Sequence, residues 1–133
     1  MTDTDARPQA LVIGHKDFAA GMVSAVTAIT GRDDMFRTAS NYGLDTRAME
    51  AVVRDAIADG VTIIFSDLPA GSTTMAARRA QRDFPGVTVV TGVSLPVLLD
   101  FAFALPDAIH AADTAVEKGR AAMMVVRGTA RAD

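Results

Sequence analysis

Two histidines occur in this chain, and one of them, His15, directly follows the strand-like run "LVIG" and precedes "KDFAAG". There is no cysteine, which excludes a thiol nucleophile, a thiolate metal site and a disulfide framework. Covalent chemistry at this point would therefore belong to the imidazole. Its unprotonated ring nitrogen attacks an electrophile, while a carboxylate accepting a hydrogen bond from the other nitrogen fixes tautomer and orientation and stabilises developing positive charge. A matching acid stands in "FSDLPAGSTT", where Asp67 follows an apolar run just as His15 does. If the electrophile is a phosphoryl group, an anion of ~1.5 to 2 charges must be received beside that acid, which calls for backbone N–H donors at a helix start. Gly71 lets the backbone approach, Ser72 supplies a hydroxyl there, and Lys16 adds attraction for phosphate. Neither GxxxxGK[ST] nor GxGxxG occurs, so nucleotide binding has no motif behind it.

Plainer roles exist for each residue. A histidine is often packed or merely exposed, and Asp67, Ser72 and Thr73 would each serve as a helix cap, the simpler role for the threonines. Lys16 and Asp17 fit solvated loop charges, Arg78 and Arg79 an exposed helix face, and His110 a structural or surface position on a helix away from any strand end. The seven methionines are scattered, several at core spacings, and need no cofactor to explain them.

The elements that must bring these residues together are legible in the periodicity. Residues 10–14 (ALVIG), 61–66 (VTIIFS) and 87–92 (VTVVTG) are short, β-branched and nearly continuous in apolarity, the pattern of strands buried on both faces. "MFRTAS", residues 35–40, is a weaker strand pattern. Ala19, Met22, Val23, Val26 and Ile29 repeat at helical spacing, as do Met49, Val52, Val53, Ala56 and Ile57, with Asp45 or Thr46 as the cap of the second helix. Gly31 and Gly60 fall where C-terminal caps belong. A third helix starts near Gly71, a fourth follows Ser94 in "SLPVLLDFAFAL", and Pro106 breaks it from a fifth over about Asp107 to Gly119. "AAMMVV", residues 121–126, has a strand pattern. This alternation predicts one α/β domain with a doubly wound, mostly parallel sheet, helices on both faces and an extra C-terminal strand. Sites in such sheets lie off the carboxyl ends of the strands where strand order reverses. In the flavodoxin-like order the first and third strands are neighbours there, so His15 and Asp67 are expected to meet.

Composition narrows the function classes. Half of the 133 residues are hydrophobic, enough for one genuine core, and 13 basic against 16 acidic side chains leave a net charge of -3. No basic run could track a phosphate backbone, so nucleic acid is not an expected partner. The start "MTDTDARPQA" lacks the basic flank and apolar stretch of a signal peptide, and no run approaches the ~18 apolar residues of a membrane span. The expected protein is soluble and cytoplasmic, with a flexible segment at residues 1–8, a domain at 9–127 and a tail at 128–133.

"LVIGHKDFAAGMVSAVTAITG", "VTIIFSDLPAGSTTMAARR" and "VTVVTGVSLPVLLDF" resemble, in order and spacing, the enzyme IIA domains of the mannose class of the bacterial sugar phosphotransferase system, especially those for amino sugars such as N-acetylgalactosamine. The likeness runs over residues 9–127. It implies that His15 takes a phosphoryl group from the carrier HPr and hands it to an enzyme IIB, that Asp67 orients the ring, and that Ser72 lies near the phosphoryl site. It also implies no cofactor or metal, no membrane insertion of this chain itself beside its membrane permease partners, and a homodimer made by swapping the strand at 121–126. Lys16 and Ala70 stand where the family often has glycine, and Thr73 where it commonly has proline. No enzyme IIB segment follows, so the next carrier is expected on another chain. Rival readings are the related phosphocarrier subunit of dihydroxyacetone kinase, a regulatory module uncoupled from transport, and a flavodoxin-like ligand binder. The single Tyr42 and the absence of tryptophan argue against a flavin.

Overall fold

The computed structural model describes residues 9–104 and 108–129, with the side chains of 108–110 left aside. In chain order the elements are β1 (Ala10–Gly14), α1 (Phe18–Thr30), β2 (Phe36–Ser40), α2 (Thr46–Ala58), β3 (Ile63–Ser66), α3 (Ser72–Arg82), β4 (Thr88–Val90), α4 (Leu95–Ala104) and α5 (Ala108–Ala122). The four strands are all parallel, in the order β2-β1-β3-β4. The flavodoxin-like expectation is met, and the chain order reverses between β1 and β3.

The central strand β1 is buried along its whole length, and its alternating side chains build two cores. Ala10 and Val12 join the core shared with α1, α4 and α5, while Leu11 and Ile13 join that shared with α2 and α3. The first core is anchored by Phe36, Phe65 and Phe101, with ring centroids 5.1 to 6.1 Å apart in edge-on or tilted arrangements. In the second, Ala76, Ala77 and Ala80 bring α3 close to the sheet. The weaker strand pattern at 35–40 becomes edge strand β2, where Arg37 turns outward to pair with Asp59 at 2.9 Å. A charged side chain on an edge strand discourages pairing with another chain.

Local signals set most of the boundaries. Asp45 caps α2, its carboxylate accepting the Ala48 N–H at 2.8 Å, and α1 ends at Gly31, whose φ of 76° lets its N–H reach the Thr27 carbonyl at 2.8 Å. Two expectations are corrected. Gly119 does not end α5, which continues to Ala122. A Cβ on Gly119 would collide with Val97, so this glycine serves the close crossing of α5 and α4. The strand pattern at 121–126 also forms no strand in the single chain: Ala121 and Ala122 belong to α5, and Met123 to Val126 are exposed without regular structure. An apolar segment forms a strand only where a neighbouring edge accepts its backbone, and none does here. The expected break at Pro106, the segment 1–8 and residues 130–133 lie outside the described residues.

Candidate functional site

The strand register assembles the site. Ile13 is paired with Ser66 and Gly14 with Ser40, so His15, Asp67 and Asn41 leave the sheet side by side at its carboxyl edge. His15 Nδ1 lies 2.7 Å from Asp67 Oδ2, and the His15 backbone N–H donates to the same oxygen at 2.9 Å. An ionised carboxylate only accepts, so Nδ1 carries a proton, and in the neutral imidazole Nε2 keeps its lone pair. The imidazole is 45% exposed whereas the Asp67 side chain is 8% exposed. A buried acid thus presents a reachable ring nitrogen to solvent.

Asp67 is held from behind as well. Thr73, fully buried, donates its hydroxyl to Oδ1 at 2.9 Å. Burial opposes the negative charge, but hydrogen bonds from the His15 ring, the His15 amide and Thr73 outweigh it, and the carboxyl is held below its ordinary range. Thr74 secures the loop that follows: its hydroxyl lies 2.7 Å from Ser66 Oγ and 2.5 Å from the Leu68 carbonyl oxygen. The simpler role of these threonines as caps is therefore corrected. Gly71 occupies the N-cap position of α3, with a φ of 117° that other residues rarely adopt, and a Cβ there would lie 3.7 Å from His15 Cε1. The imidazole rests against this turn.

Neither α1 nor α3, the helices that begin beside His15, has a side-chain cap, in contrast to α2. Their first N–H groups and the positive ends of their dipoles remain suited to an anion. Ser72 opens α3 and receives a hydrogen bond from Asn41 Nδ2 at 3.4 Å. Lys16 adopts a φ of 45°, a left-handed conformation that costs a side-chain-bearing residue roughly 1 to 2 kcal/mol, which explains the glycine often found there in the family it resembles. Its N–H donates to Asn41 Oδ1 at 3.3 Å, and its ammonium stands 5.5 Å from the centroid of Tyr42. That charge sits on the rim of the site, resting on an aromatic face.

His15, Asp67, Gly71 and Ser72 are thus brought together, with Lys16 at the edge, while the side chain of His110 lies outside the described residues. Arg78 and Arg79 are exposed on α3 as expected. Sequence reasoning missed Asn41 and the bond from Thr73. Asn41 had a signal, because it too is the first residue past a strand. Among the described residues no group of three or more His, Asp or Glu side chains could hold a metal ion, and no described helix is long and apolar enough to cross a membrane.

The fold is thus a parallel α/β domain that holds an imidazole against a buried carboxylate off the carboxyl ends of its strands. The chain belongs to the enzyme IIA family of the mannose type: the family model EIIA-man, described as PTS system fructose IIA component, matches residues 9–118. It is accordingly a component of sugar phosphotransfer. Its fold is that of a phosphotransferase system component EIIA from Streptococcus agalactiae (TM-score 0.80, 13% identity, covering 88% of this chain and 95% of that one). The mannose/sorbose specific IIA subunit from Enterococcus faecalis is similar at TM-score 0.74 and 19% identity over 94% and 98% of the two chains. A IIA protein associated with the fucose utilization operon of Streptococcus pneumoniae gives 0.76 and 22% over 90% and 93%. No curated protein matches the chain by sequence.

Proposed function

We propose that the chain is a cytoplasmic phosphohistidine relay, taking a phosphoryl group from HPr on His15 Nε2 and passing it to an enzyme IIB. The observation that supports this reading is the contact of Nδ1 with buried Asp67 on a ring that is 45% exposed, so that in the neutral imidazole Nε2 is the nitrogen with the lone pair. In the first transfer the N–P bond of the donor phosphohistidine breaks as the Nε2–P bond forms, and the breaking bond's electron pair returns to the donor nitrogen. Nδ1 keeps its proton throughout, so the positive charge that grows on the ring is balanced by Asp67. The phosphoryl oxygens face the starts of α1 and α3, which no side chain caps, and the Ser72 hydroxyl, with Lys16 contributing attraction from the rim. The second transfer repeats these events with an enzyme IIB nucleophile. Such a step needs alignment and charge stabilisation more than covalent machinery, so a small domain suffices.

The working form is proposed to be a homodimer in which residues 121–126 of one copy pair with β4 of the other. Met123, Met124, Val125 and Val126 are 69 to 82% exposed in the single chain, and β4 pairs with β3 alone among the described residues. Incubation with phosphoenolpyruvate, enzyme I and HPr should add one acid-labile, base-stable phosphoryl group at His15. The His15→Ala protein should fold and accept none. An adduct on His110 instead would overturn the assignment, and onward transfer only to a nucleotide-bound dihydroxyacetone kinase subunit would replace enzyme IIB as the recipient.

A further inference from the structure

Three strand ends converge on His15, and the relay described above uses only two of them. Strand β1 lies between β2 and β3, so the first residue past β2, Asn41, flanks the site from the side opposite Asp67. Asn41 makes four hydrogen bonds: its carbonyl accepts the Leu44 N–H at 2.9 Å within its own turn, and the other three go to the site. Its backbone N–H donates to the Gly14 carbonyl at 3.2 Å, its Oδ1 accepts the Lys16 N–H at 3.3 Å, and its Nδ2 donates to Ser72 Oγ at 3.4 Å. Elementary chemistry fixes the orientation of the amide: the Lys16 N–H can only donate, so Oδ1 must face it and Nδ2 turns to Ser72.

Each bond has a consequence. Lys16 is the one residue other than glycine with positive φ among the described residues, and Oδ1 holds its N–H in that turn, immediately after the imidazole. A Ser72 oxygen that accepts a hydrogen bond from Nδ2 must point its own hydrogen elsewhere. The group across the adjacent turn is His15, whose Cε1 would lie 3.7 Å from a Cβ on Gly71.

We infer that Asn41 is a positioning residue for phosphoryl transfer: it aims the Ser72 hydroxyl hydrogen at the phosphoryl oxygens on His15 and pins the turn that carries the imidazole. Both side-chain bonds are long, at 3.3 and 3.4 Å, and on this inference they tighten in the transfer step. The inference rests on the relay reading of the preceding subsection.

The test is a double-mutant cycle of Asn41→Ala with Ser72→Ala, read as the single-turnover rate of phosphoryl acceptance from phosphorylated HPr and as its concentration dependence. Asn41→Ala should keep the circular dichroism and melting profile of the native protein. It should slow the maximal rate roughly tenfold with little change in the half-saturating HPr concentration, and this loss should largely vanish in the Ser72→Ala background. A purely structural asparagine would instead slow both backgrounds alike. Should Asn41→Ala fail to fold, Asn41→Asp, which retains an acceptor for the Lys16 N–H but no donor for Ser72, reads the serine arm in the same cycle. A native rate in the Asn41 variants, or losses that add in full to that of Ser72→Ala, overturns the inference alone. A native protein that accepts no phosphoryl group overturns the relay reading and this inference with it.

Discussion

The carboxyl ends of β1 and β3 and the outer edge of β4 belong to one sheet and are finished in opposite ways. At the first, a single carboxylate accepts three hydrogen bonds, and Thr73, Thr74 and Asn41 tie the surrounding loops to one another. At the second, a strand of three residues pairs on one side only among the described residues. Beside it runs a groove of about 640 Å³ lined by Val90, Gly92, Val97, Val116, Arg120 and Met123. The chain then leaves α5 with four apolar side chains in solvent. The Asp67 carboxylate is satisfied where chemistry is expected, and the apolar side chains of Met123 to Val126 are left exposed where a second copy is expected. The hydrogen bonds of the candidate site close within one chain, whereas β4 keeps one side unpaired among the described residues.

The largest effect that would test this contrast comes from Asp67→Asn. The amide turns a donor toward His15 and favours the wrong tautomer, so phosphoryl acceptance should fall by about 10²-fold or more while the fold persists. Native transfer kinetics would reduce Asp67 to a structural anchor of its loop. Removing residues 123–129 should act at the other region alone. The molar mass by light scattering should drop from dimer to monomer, with acceptance at His15 retained within about threefold, because an exposed segment contributes little to the isolated fold. A truncated protein that stays dimeric would place the interface elsewhere. The smallest effect is acid sensitivity. Because the folded Asp67 carboxyl is held below its ordinary range, its contribution to stability is present above the unfolded carboxylate value of about 3.9 and is lost as pH falls through the folded value. Unfolding titrations should show a steeper loss below pH ~4 in the native protein than in Asp67→Asn, and equal slopes would mean that the hydrogen bonds to Asp67 contribute nothing net.

Much of this was readable before any coordinates. The apolar runs of β1 and β3 announce strands buried on both faces, and the alternation with helices implies the parallel order that makes them neighbours, so the meeting of His15 and Asp67 follows from pattern alone. Thr73 misled because hydroxyl residues at a helix start obey a strong local rule. Its hydroxyl instead satisfies a buried carboxylate six residues earlier, and burial makes an unsatisfied charge costlier than an uncapped helix. Gly119 misled in the same manner, since a glycine near a helix end signals a cap until packing against Val97 gives it another purpose. The apolar pattern of 121–126 is genuine, but a strand is a property of a pair of segments, and within one chain this segment does not pair with the edge that β4 leaves open.

Residue order thus settled which segments are strands and helices and that an imidazole and an acid each end a central strand, since periodicity and breaker residues act over a few neighbours. Which groups then touch was left to folding. The bonds from His15 to Asp67, from Asn41 to Ser72 and from Lys16 to Asn41 join residues 52, 31 and 25 positions apart, and all three depend on strand register, where a slip of one residue turns every side chain to the opposite face.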